Sequence, residues 1–216
     1  MGQRVKCNAL VLSSNSYGET SKMLTALTDK FGKISVSAKG AAKQSGPFLS
    51  CTQVFCYSSM ELSEGRNGVY TLCECELINS FYALRENLDV LYAAYDIEKA
   101  VRTVSQEEYP DENLLRLALN TLYYLCTLSE KAKTDENVSK TISQRIEFVK
   151  SIFFIRLCSD QGFFELPDKF EDEACEKAVL HVTECDLKEL FAFTISPRAR
   201  EELSDVAERA KTAVLD

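Results

Sequence analysis

The chain has 216 residues, is 45% apolar and 27% charged, and carries a net charge of −8. That is material for one large domain or two small ones with a full core, and it excludes a low-complexity or disordered chain. No run reaches the roughly eighteen apolar residues that span a bilayer, and Met1-Gly2-Gln3-Arg4 leads into a strand-like segment with no signal-peptide apolar region, so a cytoplasmic protein without a membrane partner is expected.

Residues 4 to about 80 read as five short strands. An apolar run at Ala9–Leu12 leads into a polar loop, Ser13–Gly18, and a second run follows at Met23–Leu27. After the turn signal Asp29-Lys30-Phe31-Gly32 comes a clean alternation, Lys33-Ile34-Ser35-Val36-Ser37-Ala38, the period-2 mark of a half-buried strand. It runs into a small, basic, Gly-punctuated loop, Lys39 to Pro47. Thr52–Leu62 reads as a fourth strand, Glu64-Gly65-Arg66-Asn67-Gly68 as a hairpin turn, and Val69–Leu77 as a fifth strand with Cys73 and Cys75 on one face. Five strands with Gly turns suit a small closed barrel, and the OB-fold, which binds oligonucleotides across one face, is the expected member.

From Leu84 the period changes. Leu88, Leu91, Tyr92 and Tyr95 fall at i, i+3, i+4 and i+7, and are read as the inward stripe of an amphipathic helix. Gln106–Asp111 is a connection broken by Pro110. A second helix turns Leu114, Leu117, Ala118, Thr121, Leu122 and Leu125 inward; a third carries Ile142, Ile146, Val149, Phe153 and Leu157 and ends near Gly162. Residues 163–195 suggest short strands and turns, with His181 on a strand-like Val179–Val182. Ser196-Pro197 is a helix start, Ser as N-cap and Pro in the first turn, and this last helix runs to about Ala213.

Charge is unevenly spread. Residues 1–50 hold seven Lys/Arg against two Asp/Glu, +5, whereas residues 51–216 hold eighteen against thirty-one, −13. An electropositive module is followed by an acidic body that would confine any nucleic acid to the basic part. Lys33, Lys39 and Lys43 cluster around the third strand, with Lys22 and Arg66 on neighbouring elements. Lysines that neutralise phosphates release counterions and give sequence-independent, salt-sensitive affinity. Gly40 would let two backbones approach closely. Tyr17 is either a stacking platform for a base or a ring packed on its hairpin.

Nothing in the chain points to catalysis. There is no nucleophile–base pair, no Walker-type loop, and one histidine. The nine cysteines include no C-x-x-C and are read as reduced, buried thiols. A Cys₃His site from Cys158, Cys175, His181 and Cys185 is geometrically conceivable, and an enzyme dependent on thiols or metal would rest on these cysteines alone.

Three blocks, Tyr17-Gly18-Glu19, Phe31-Gly32-Lys33-Ile34 and Ala38-Lys39-Gly40-Ala41, resemble in order and spacing the DNA repair protein RecO family of bacterial recombination mediators. The resemblance continues through Tyr70-Thr71-Leu72, Glu76-Leu77-Ile78, Ser80-Phe81, Leu84-Arg85-Glu86 and Tyr92-Ala93-Ala94-Tyr95. It covers the first half of the chain well and the second in outline. It implies an α+β fold, with a five-stranded OB-fold barrel over residues 1–80 and an all-helical body with a small irregular insert over 81–216. It implies a protein of the cytoplasm and nucleoid that binds single- and double-stranded DNA and anneals complementary strands. Such a protein acts with RecR to load RecA onto strands coated by single-stranded-DNA-binding protein. The acidic C-terminal tail of that coating protein would bind the helical body beside a basic residue, for which Arg102, Arg145, Lys150 and Arg156 are candidates.

Two departures from the family pattern stand out. Many relatives carry a four-cysteine zinc ribbon where this chain has cysteines at other spacings. Residues 163–195 are therefore read as a degenerate remnant in a short member, with no metal or cofactor. Relatives also have more arginine after the Lys-Gly pair, where this chain has Ala41-Ala42-Lys43-Gln44. That thinning keeps open a second function, a protein-interaction adaptor of the same pathway with little direct DNA binding.

Overall fold

Strand β3 (Gly32–Ala38) shows how the barrel is built. Ile34, Val36 and Ala38 are buried and Lys33, Ser35 and Ser37 between them are half-exposed, so one face makes core and the other meets water. The same logic brings together Cys7, Ala9 and Val11 of β1 (Arg4–Tyr17), Leu24 and Ala26 of β2 (Ser21–Thr28), Met60 and Leu62 of β4 (Tyr57–Ser63) and Leu72 of β5 (Val69–Asn79). In the computed structural model, which describes residues 3–43, 46–65 and 68–215, these strands close into a barrel in the order β1-β2-β3-β5-β4. Neighbours are antiparallel except β3 and β5, which pair in parallel over Ser35–Ser37 and Val69–Thr71. This is the OB-fold barrel, followed by helices, of an α+β chain.

Three strand expectations need correction. Ser13–Tyr17 is not a loop but the second half of β1, paired with Ser21–Thr25 beyond a register shift at Val11/Ser13; ladder hydrogen bonds rather than burial hold it. The fourth strand begins at Tyr57, not Thr52. Residues 47–55 form turns tied to β1 by Phe55 N–H to Val11 O (2.8 Å) and Val11 N–H to Cys56 O (2.9 Å), with Phe55 at φ +70°. Cys73 and Cys75 do not share a face: the β4–β5 register skips Cys73 between Leu72 and Glu74, so Cys75 packs on the barrel core and Cys73 does not.

The chain divides into two compact units, Met1–Phe81 with Ser105–Leu115, and Tyr82–Val104 with Arg116–Asp216. In the first, the returning segment seats the β2–β3 turn: Lys33 N–H donates to Gln106 O at 2.9 Å, and Glu107 bridges Gly32 and Lys33. Buried Thr28 closes that turn, donating to Gly32 O and accepting from Phe31 N–H, both at 2.9 Å.

The helices of the second unit are α1 (Leu88–Val104), α2 (Glu112–Thr134, whose first residues count with the barrel unit), α3 (Glu136–Lys140), α4 (Ile142–Asp160), α5 (Glu173–Glu184) and α6 (Pro197–Leu215). α4 is central: Ser151 through Ile155 are all buried, and α1, α3, α5 and α6 pack around it. Two readings fail here. On α1 the buried side is Val90, Ala93, Ala94, Ile97 and Val101, so Leu88, Tyr92 and Tyr95 face water. Residues 173–184 form a helix, capped by Asp172 accepting from Ala174 N–H at 2.8 Å, so His181 lies on a helix and the expected strands are absent. Among the described residues no helix is long and apolar enough to cross a membrane.

Candidate nucleic-acid interface

The candidate residues sort by the barrel register. Tyr17 ends β1 opposite Ser21, Ser16 pairs with Lys22, and Lys22 pairs with Ala38 at the end of β3. The chain then turns back over this end: Ala42 N–H donates to Thr20 O at 2.9 Å, binding the loop after β3 to the β1–β2 turn. Tyr17, Lys22, Lys39, Gly40 and Lys43 therefore share one rim of the barrel. Lys33 does not. It sits at the opposite end of β3, about 20 Å away by strand rise, paired with Leu27. Arg66 lies outside the described residues.

The rim is built on apolar anchors. Ala41 is fully buried in the barrel core and Phe48 packs against it, so the basic loop is pinned at both sides. Between these anchors runs a series of turns: Ala41 N–H to Ala38 O, Lys43 N–H to Gly40 O and Gly46 N–H to Lys43 O. These three amides are consumed within the loop, and the ammonium groups of Lys22, Lys39 and Lys43 stand at the same rim. Gly40 sits at φ +75° with open space where a Cβ would be. Within the chain its requirement is conformational, and the open space beside it leaves room for a second backbone. Inside the loop the close contact belongs to Gly46, where a Cβ would lie 2.6 Å from Gly40 O.

Lys39 and Lys43 are exposed and Lys22 is half-exposed; among the described residues none forms an ion pair. Tyr17 is 63% exposed, so its ring is not packed into the hairpin. Between the rim and Lys33, the outward residues of β2 and β3 are Met23, Thr25, Ser35 and Ser37, with no aromatic ring among them. The far side of the barrel has the other sign: Glu61, Glu74 and Glu76 mark β4 and β5, and among the described residues Glu61 is paired, with Arg4 at 2.8 Å. What sequence reading missed is the Thr20–Ala42 bond, since no residue type announces it.

The helical candidates separate as well. Arg156 is committed to structure, paired with Asp160 at 2.8 Å and donating to Val182 O and Cys185 O. Lys150 is held by Asp96 at 2.9 Å and by Glu147, and Arg102 pairs with Glu98. Arg145 is exposed, and among the described residues its side chain bonds to Thr141 of its own helix turn.

The thiols are quiet. Burial pushes Cys7 and Cys175 up to about 12 and Cys126 and Cys158 up to about 11, so each stays protonated near neutrality. Cys158 donates to Ala210 O at 2.9 Å. Among the described residues no three His, Cys, Asp or Glu side chains gather to hold a metal.

Residues 1–81 match the family model described as Recombination protein O N terminal. The chain is 28% identical to the DNA repair protein RecO of Acetivibrio thermocellus, over 95% of the chain and 89% of that protein. It is 38% identical to the RecO of Bacillus subtilis and 33% to that of Clostridium novyi, each over 56% of the chain and about half of the relative (47% and 46%). With the OB-fold barrel and the helical body that follows it, these matches make residues 1–81 a RecO-type N-terminal domain and the chain similar, over most of its length, to DNA repair protein RecO.

Proposed function

We propose that the chain is a DNA-binding recombination mediator. It holds strands by their phosphates, anneals complementary ones, and helps load a recombinase onto single-stranded DNA coated by single-stranded-DNA-binding protein. The observation that carries this reading is the Ala42–Thr20 hydrogen bond, which gathers Tyr17, Lys22, Lys39, Gly40 and Lys43 on one rim of an OB-fold barrel. Ammonium groups grip phosphate by charge, and so take single and double strands alike. A β2–β3 face without rings leaves base edges free to pair, with Tyr17 as the one stacking platform. No substrate is turned over.

Kinship with RecO adds RecR, the coating protein's acidic C-terminal tail and, indirectly, RecA as partners. Arg145 is then the cation that best suits the tail, because the other three candidates are already paired with acids. The place of action is the cytoplasm, at the nucleoid.

The test is fluorescence anisotropy of a labelled single-stranded oligonucleotide across a salt series. The parent should bind with a log–log slope of several, and Lys22→Ala/Lys39→Ala/Lys43→Ala should lower that slope by about 2, at roughly 0.7 counterions per lost contact. Lys33→Ala alone should change it by less than 1. Absence of binding at moderate salt would overturn the DNA reading and leave the adaptor, which the acidic β4–β5 side of the barrel would suit.

A further inference from the structure

The water-facing side of α1 is not polar. Leu88, Tyr92 and Tyr95 are 62%, 62% and 45% exposed, and their i, i+4, i+7 spacing makes them one stripe. Tyr82, 65% exposed in the 3₁₀ turn just before the helix, extends this apolar surface. Single exposed apolar residues are ordinary, but several large ones in register on one helix mark a contact surface. The stripe continues into Lys99 and is flanked at its other end by Asp89. Among the described residues neither of these has an ion-pair partner, whereas Asp96, Glu98 and Arg102 of the same helix are all engaged.

We propose that α1 pairs with α1 of a second copy of this chain, antiparallel about a two-fold axis level with residue 94. The charge pattern selects that occupant. Positions 89 and 99 are equidistant from 94, so Asp89 of each protomer meets Lys99 of its partner, twice in one interface. In the same register Tyr92 lies within one residue's rise, about 1.5 Å along the axis, of its partner's Tyr95, which lets the rings pack offset. Leu88 falls one residue from the level of its partner's Lys99 and can lie along that aliphatic stem. A parallel arrangement would instead oppose like charges. A nucleic acid on this stripe would meet Asp89 with only Lys99 to hold it.

Four apolar side chains are far fewer than the roughly 20–30 residues a side of a standard interface, so the dimer is weak and reversible, its midpoint set for the test on the order of 100 µM. A dimer carries two basic rims and can hold two strands in one particle. That consequence rests on the DNA reading above; the dimer itself does not.

Sedimentation velocity over about two decades of concentration around that midpoint tests it. The parent should shift from monomer to dimer. Asp89→Lys and Lys99→Asp should each raise the midpoint at least ~5-fold by setting like charges together, and Asp89→Lys/Lys99→Asp should restore it by rebuilding both pairs with the signs exchanged. Tyr92→Glu should abolish the dimer. All these residues are exposed, and the recovered double variant shows that the single changes leave the fold intact. A parent that stays monomeric throughout, a double variant no better than the singles, or a dimer indifferent to all four changes would each overturn the proposal.

Discussion

Gly32 and Gly40 both have positive φ, +64° and +75°, yet they answer to different demands. A Cβ at Gly40 would meet nothing, whereas one at Gly32 would strike the carbonyl oxygens of Tyr109 and Gln106, the latter at 2.6 Å. Gly40→Ala should therefore cost only the left-handed penalty, about 1 kcal/mol. Gly32→Ala must also displace backbone, and should lose more than ~2 kcal/mol. Urea denaturation of the two variants checks the order; equal losses would mean that the returning segment simply moves aside. The sequence signals both glycines equally, because a turn reads the same whether or not another chain segment sits on it. The rim lysines were legible by type and position. Their grouping was not, since it depends on one main-chain bond that any residue at position 42 other than proline could make.

At the scale of elements, α4 and α6 were legible to within a few residues, because buried periodicity and a Ser-Pro start leave little choice. Ser196 Oγ does accept from Ala199 N–H at 3.2 Å. α1 was misread for a physical reason: its inward side is mostly alanine and valine, and its largest apolar residues face out, so a rule that turns bulk inward selects the wrong face. α5 was missed because it has only four buried residues, two of them Cys175 and Ala178. The inward side of α1 also carries Glu98. Burial raises its carboxyl above the usual range, and Arg102, although 2.8 Å away, approaches Oε1 outside hydrogen-bond alignment. The folded state thus binds this proton more tightly than the unfolded chain. The carboxylate costs stability at neutral pH, and the cost fades as pH falls through the raised folded value toward the ordinary one. Glu98→Gln should therefore match or exceed the parent in thermal stability near pH 8, with the gap closing on acidification. A variant weaker than the parent at pH 8 would mean that the Arg102 pair outweighs burial.

For the molecule as a whole, charge was the most transparent property. The excess of lysine in the first fifty residues and of acid thereafter reappears on the barrel as a basic rim and an acidic β4–β5 side. Connectivity was opaque. Pro110 marks residues 106–111 as a break, and nothing in their composition says that they return to pair with Gly32 and Lys33. A fragment ending at residue 81 is expected to lose cooperative thermal unfolding by circular dichroism, because the β2–β3 turn loses its seat; a sharp transition would make the return dispensable.

That return also sets a schedule. The barrel unit is completed only by residues 105–115, so the chain must emerge through all of α1 before the β2–β3 turn finds its last partners. At 5–20 residues per second this is a wait of about 2–7 s after Phe81 is made. During that interval the nascent barrel presents an unfinished turn, and the first half of the protein matures only after part of the second has been synthesised.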